Sequence, residues 1–145
     1  MRLFLDANVL FTAAHNPLGK AAFIIELANS GHWEVVTSTL AVEEARHNIA
    51  SKFPEALQSL ENILVSVTMI KSGSGRNCPI EIAEKDQPIM ESAIKIKATH
   101  LLTGDLRHFG PFMNKREKTA GIVIQTVSEF LEGIASTSMS CFRQD

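Results

Sequence analysis

Leu3-Phe4-Leu5-Asp6-Ala7-Asn8 is an apolar run that ends on a carboxylate almost as soon as the chain begins. A strand buried on both faces reads as a continuous apolar stretch, and open α/β folds bind their ligands at the carboxyl ends of such strands. The same ending recurs at Leu101-Leu102-Thr103-Gly104-Asp105. Two strands that each deliver an Asp to one sheet edge point to a metal site.

Working outward, Trp33–Val36, Val65–Ile70 and Ile122–Ile124 are the remaining strand candidates. With the first two runs they predict strands near 2–6, 33–37, 100–103 and 121–125. Between them lie stretches with helical spacing. Lys20–Ser30 carries Ala21, Ile24, Ile25, Leu27 and Ala28 on one face, after the turn Asn16-Pro17-Leu18-Gly19 and before Gly31, a residue suited to a helix end. Ser38 or Thr39 can cap a helix reaching Ala50, and Pro54 fits the first turn of another reaching Leu64. Asp86 and Pro88 open a helix to Ala98, and Val127–Ile134 closes the series. Residues 71–79 form the chain's one clear flexible loop. Its exposed Gly-Ser portion reads as tolerance to insertion, because no strand leads into it and no helix follows to make a phosphate cradle. Alternation of strands and helices predicts a three-layer α/β/α sandwich around a mostly parallel sheet.

The chain has 145 residues, 45% hydrophobic and 21% charged, as in an ordinary soluble domain. We expect one domain over 1–135 and a small, polar tail over 136–145 that frays. Arg2 interrupts the opening run too early for a signal peptide, and no run approaches membrane-spanning length, so a cytoplasmic protein is expected. Cys78 and Cys141 have no partner at zinc-ligand spacing and read as reduced, idle thiols. A net charge of −2 gives no global signature of nucleic-acid binding. Any such binding must rest on a local patch or on a metal bridging to phosphate.

Four acids stand out by position: Asp6, Glu44, Asp86 and Asp105. Oxygen ligands suit hard cations such as Mg²⁺ and Mn²⁺, and carboxylates gathered at one edge repel one another until a cation arrives. Singly, each has a bland explanation. Asp86 reads as a helix cap, Glu43 and Glu44 as solvated helix residues, and Asp6 and Asp105 as turn formers. Their joint placement carries the weight. Replacing Asp6 or Asp105 with Asn is expected to abolish metal chemistry while metal-free stability holds or rises.

These segments resemble PIN-domain ribonucleases over nearly the whole chain, from Leu3 to about Ile134. The matching stretches are Leu3–Leu10, Thr37–Ala45, Asp86–Ala93 and Leu101–Asp105 with Phe109 following. The closest subgroup is that of bacterial and archaeal PIN toxins of toxin–antitoxin pairs. The resemblance implies a nuclease that hydrolyses RNA at one or two Mg²⁺ or Mn²⁺ ions held by Asp6, Glu44, Asp86 and Asp105. Glu44 fits the family's pattern better than Glu43. Asn8 and Thr103 would orient ligands or water. An antitoxin protein and a second copy in a homodimer are the partners implied, with no membrane. Leu106, Arg107 and His108 stand where some relatives carry a further acid, which leaves the number of ions open.

The basic stretch Arg107, His108, Lys115, Arg116 and Lys118 reads either as a solvated loop or, at Arg107, Lys115 and Arg116, as a contact to substrate phosphate. No two of the five histidines show helical metal-binding spacing, none reads as the base of a nucleophile, and His100 reads as structural. The Ser and Cys residues lack a nucleophile elbow. Phe109 and Phe112 read as packing residues. Two other Asp-based phosphotransfer folds fit less well. A haloacid-dehalogenase type wants an Asp where Asn8 stands, and a receiver domain wants an acidic pair that the chain does not have before Asp6. The alternative of another kind is a PIN fold that binds RNA or protein without cutting.

Overall fold

The computed structural model describes residues 1–143, with side chains described through Thr137. Strand β1 (Arg2–Leu5) lies at the centre of a five-stranded sheet, flanked by β2 (Glu34–Ser38) and β4 (His100–Leu102). The outer strands are β3 (Thr68–Ile70) and β5 (Val123–Gln125), giving the order β3-β2-β1-β4-β5 with every pair parallel. Leu3, Phe4 and Leu5 are fully buried, which is why the opening run has no polar alternation. Leu3 pairs with Val35 on one side and His100 on the other, so the register brings Asp6 beside the end of β4.

The predicted mostly parallel α/β architecture is the one observed. Helices α1 (Ala7–His15), α2 (Lys20–Asn29), α3 (Thr39–Lys52) and α4 (Leu57–Leu64) fall in the crossovers β1→β2 and β2→β3, and α1 packs against the other three. Helix α5 (Gln87–Lys95) returns the chain across the sheet to β4. A right-handed crossover in that opposite direction lies on the opposite face, which makes the third layer. A short helix α6 (Leu106–Phe109) follows β4, and α7 (Val127–Arg143) closes the fold against α2.

Local chemistry sets most helix ends. Gly31 adopts φ +88°, its N–H donating to Ala28 O and that of His32 to Leu27 O, the pair of bonds that closes a helix with a left-handed residue. Ser38 is the cap of α3, its Oγ accepting from Ala41 N. Pro54 opens a 3-10 turn, Pro54–Ala56, before α4 begins.

Several boundaries differ from the expectation. Helix α1 went unread because it starts directly after β1, with Asp6 both ending the strand and serving as the helix N-cap. Strand β3 omits Val65, which is 87% exposed. Helix α5 stops at Lys95, and Lys97 takes φ 57° to turn the chain into β4. Helix α7 continues past Ile134 to Arg143, into the segment read as a fraying tail, whose last two residues lie outside the described ones.

The loop after β3 is tied down rather than free at two points. Ser72 Oγ accepts from Leu40 N at 2.9 Å, while Ser72 N donates to Thr39 Oγ1. Gly75 is buried at φ +85°, and a Cβ there would lie 2.9 Å from Pro88. Cys78 is a free thiol, and the Cys141 side chain lies outside the described residues.

Candidate metal centre

All strands point the same way, so their carboxyl ends share one edge, and the chain reverses its direction of travel across the sheet between β1 and β4. That reversal opens a crevice where adjacent loops diverge. Asp6 and Asp105 sit on its two sides. Asp6 N donates to Leu102 O at 3.1 Å, extending the ladder by one step and holding the Asp6 carboxylate at the rim. Thr103 Oγ1 then donates to Asp6 Oδ2 at 2.8 Å and accepts from Asp105 N at 3.0 Å. Asn8 completes the bridge. Its Nδ2 donates to Asp6 Oδ2 at 3.2 Å, and its Oδ1 accepts from Gly104 N at 2.7 Å. A Cβ on Gly104 would stand 3.3 Å from that Oδ1, so the close approach favours glycine.

The other two acids arrive from helices. Glu44, exposed on α3, lines a cleft of about 180 Å³ together with Asp6, Asp86 and Asp105, while Glu43 does not line it. Asp86 ends a 3-10 turn, Glu84–Asp86, that feeds α5. It does not cap that helix: its backbone is already helical, and its side chain accepts no capping bond. The bland explanation for Asp86 therefore fails, and the carboxylate turns to His108 instead. His108 Nδ1 lies 2.8 Å from both Asp105 Oδ2 and Asp86 Oδ2. One ring N–H serves one acceptor, and the hydrogen bond goes to Asp105, which leaves Asp86 Oδ2 buried without a donor. Ligand atoms of Asp86, Asp105 and His108 lie within 4.8 Å of one another.

Burial pushes the Asp6 carboxyl up to about 6, against the lowering bonds from Thr103 and Ala7, with Asp86 and Glu44 adding repulsion. Burial likewise raises Asp86, which is 6% exposed, and the His108 ring only partly offsets this. Desolvation is a larger cause of both shifts than repulsion among the acids. Asp105 moves the other way: its modest burial is outweighed by side-chain and backbone hydrogen bonds from His108. The donor set, several oxygens with one buried and unpartnered, fits a hard divalent cation.

Residues 2–107 match the PIN domain family. The chain belongs to that family. A chain of VapBC2 from Rickettsia felis, solved bound to a DNA fragment from its promoter, superposes on this PIN domain with a TM-score of 0.62 at 14% identity, covering 87% of this chain and 98% of that one. A chain of VapBC-1 from nontypeable Haemophilus influenzae gives a TM-score of 0.56 at 15% identity, over 88% and 99% of the two chains. At these identities the likeness is one of fold. No curated protein matches the sequence.

The cations around the PIN domain's cleft are only in part those expected from sequence. Lys52 and Lys85 line it, and Arg107 lines an adjoining hollow with His108. Lys115 and Arg116 line neither: Asn114 N donates to Ile124 O and Gly121 N to Arg116 O, which holds their segment along β5. His108, passed over for lack of a helical partner, is the residue between two of the acids. Its signal lay in Asp105 three residues earlier, one turn away once α6 forms. His100 packs edge-on against Phe130, Phe109 is fully buried and Phe112 is partly buried, as expected of packing residues. Among the described residues no helix is long and apolar enough to cross a membrane.

Proposed function

We propose that this PIN domain is a Mg²⁺- or Mn²⁺-dependent endoribonuclease acting as the toxin of a toxin–antitoxin pair, with Asp6, Glu44, Asp86 and Asp105 as its metal ligands. The observation that carries the reading is the convergence of those four acids on one cleft. A divalent cation bound there supplies Lewis-acid stabilisation and an activated water for attack on a phosphodiester. The chain's own residues do the rest. Thr103 and Asn8 fix Asp6 Oδ2 by hydrogen bonds and Ala7 N fixes Oδ1, so the most buried of these acids is preorganised. Lys52 and Lys85 set positive charge beside the acids, where it can hold the phosphates flanking the scissile one.

An antitoxin, a homodimeric assembly and a cytoplasmic RNA target belong to the same proposal. Support for a protein partner comes from the VapBC assemblies among similar folds and from an apolar hollow of about 200 Å³ between α1, α2 and α4, lined by Ala13, Ala22, Ile25 and Ile63. Calorimetric titration of Mn²⁺ into wild type and Asp86→Asn tests the metal assignment. Binding weakened at least tenfold in the variant supports it, and equal binding removes Asp86 from the ligand set.

A further inference from the structure

Helix α1 presents Asn8, Phe11 and His15 at spacings of three and four residues, and α3 presents Glu44, Asn48 and Lys52 at spacings of four. Positions so spaced share one helix face. Five of these six residues line the acid cleft. The cleft therefore runs as a trench between two stripes, with carboxylates at its head. From Glu44 to Lys52 at 1.5 Å per residue the trench runs for about 12 Å, roughly three stacked nucleotide steps of ~3.4 Å.

The far end of the trench is aromatic and cationic. The exposed His15 ring stacks on Phe53 at 3.7 Å between centroids and 17° between planes. Phe11 tilts against both, at 6.1 Å from His15 and 5.9 Å from Phe53. Lys52 Nζ stands 5.8 Å from the Phe11 centroid. Scattered surface aromatics are ordinary, but three rings gathered beside a lysine and flush with a polyanionic cleft form a different surface. Base–aromatic stacking with a nearby cation is how proteins hold unpaired nucleotides without reading sequence.

We propose that the far end of the α1–α3 trench is a base-stacking subsite for an RNA strand, with one base on the His15–Phe53–Phe11 platform and an adjacent phosphate held by Lys52. The proposal rests on the nuclease reading and deepens it, assigning a substrate-binding subsite beyond the acids. The strand is oriented by charge: the acids at the head admit a phosphate only alongside a cation, whereas the Lys52 end attracts one unaided. A duplex keeps its bases stacked inward and offers the platform nothing to bind.

The test is the affinity of a fluorescein-labelled RNA hexamer measured by anisotropy in EDTA, where a metal-dependent nuclease does not turn over. A series carrying one abasic position at a time locates the stacked base. In wild type, one abasic position should weaken binding about tenfold and the others little. In His15→Ala and Phe11→Leu that difference between positions should vanish. Lys52→Met should weaken every hexamer alike and reduce the salt slope by about 0.7. His15 and Lys52 are exposed, so these two variants keep the test valid if Phe11→Leu fails to fold. Failure of the hexamer to bind, wild-type affinity in the His15 and Lys52 variants, or equal binding of a duplex would each overturn the proposal. A parallel cleavage assay with Mn²⁺ separates the two readings. Position-dependent binding without cleavage keeps the track and removes the nuclease, while cleavage with unchanged variant binding does the reverse.

Discussion

Thr103 Oγ1 donates to Asp6 Oδ2 at 2.8 Å across the junction of β1 and β4, tying the two halves of the candidate metal centre to one hydroxyl. The same oxygen accepts from Asp105 N, so Thr103 positions one acid by its side chain and the other by its backbone. Thr103→Val keeps the shape and deletes both bonds, together with the 3.3 Å bond that Asn8 Nδ2 donates to the same oxygen. The loss of a buried donor facing a carboxylate should reduce stability by about 1–3 kcal/mol, read from urea denaturation. An unchanged midpoint would mean the bridge is incidental.

Asp6 makes the metal-free fold less stable as pH rises. Its folded pKa, near 6, lies above the unfolded value, so between about pH 4 and pH 6 the native state binds more protons than the unfolded chain. Stability attributable to this group is full below the unfolded pKa and is lost as pH climbs through the folded one. The loss is on the order of 2–3 kcal/mol. Melts in EDTA across this range should show a slope that flattens in Asp6→Asn. A melting temperature that rises from pH 4 to 6 by the same amount in both proteins would refute the assignment.

Asp86 and Asp105, joined by His108, should respond oppositely to loss of charge. Folding disfavours the ionised form of Asp86 and favours that of Asp105. Asp86→Asn should raise metal-free stability, and Asp105→Asn should lower it, each by about 1 kcal/mol. The sequence suggested that Asp105→Asn would be neutral or stabilising, and the His108 contacts reverse that sign. Thermal melts of the two variants in EDTA decide it, and shifts of the same sign would contradict the geometry.

Gly75→Ala should destabilise the protein by about 1–2 kcal/mol, since the residue combines φ +85° with a Cβ position 2.9 Å from Pro88. Gly73, exposed in the same loop, faces only the flexible end of Glu91 and should tolerate the change better. Equal denaturation midpoints for the two variants would mean that the loop does not dock on α5.

The sheet was legible because buried parallel strands leave a simple trace, an apolar run, and because β1 and the β4 segment both end in acids at the point where connections reverse. Asp86 and Glu44 stood out by position, but a helix opening and a solvated helix face explain them equally well, and the resemblance was needed to choose between the readings. Helix α1 was hidden by its contiguity with β1, so the trench it makes with α3 could not be drawn. Lys52 was in principle readable as the third member of a stripe begun by Glu44 and Asn48. The basic stretch at 115–118 stayed open between a solvated loop and a phosphate contact because proximity in sequence to Asp105 does not show how the chain turns along β5.

Cleavage of a single-stranded RNA by purified wild type and Asp6→Asn, with Mn²⁺ and with EDTA, tests the central claim most directly. Cutting by wild type that needs Mn²⁺, stops in EDTA and falls at least a hundredfold in Asp6→Asn is the result expected of a metal-dependent nuclease. Cutting that survives EDTA or the Asp6 substitution, or a metal-bound wild type that leaves RNA intact, would contradict it.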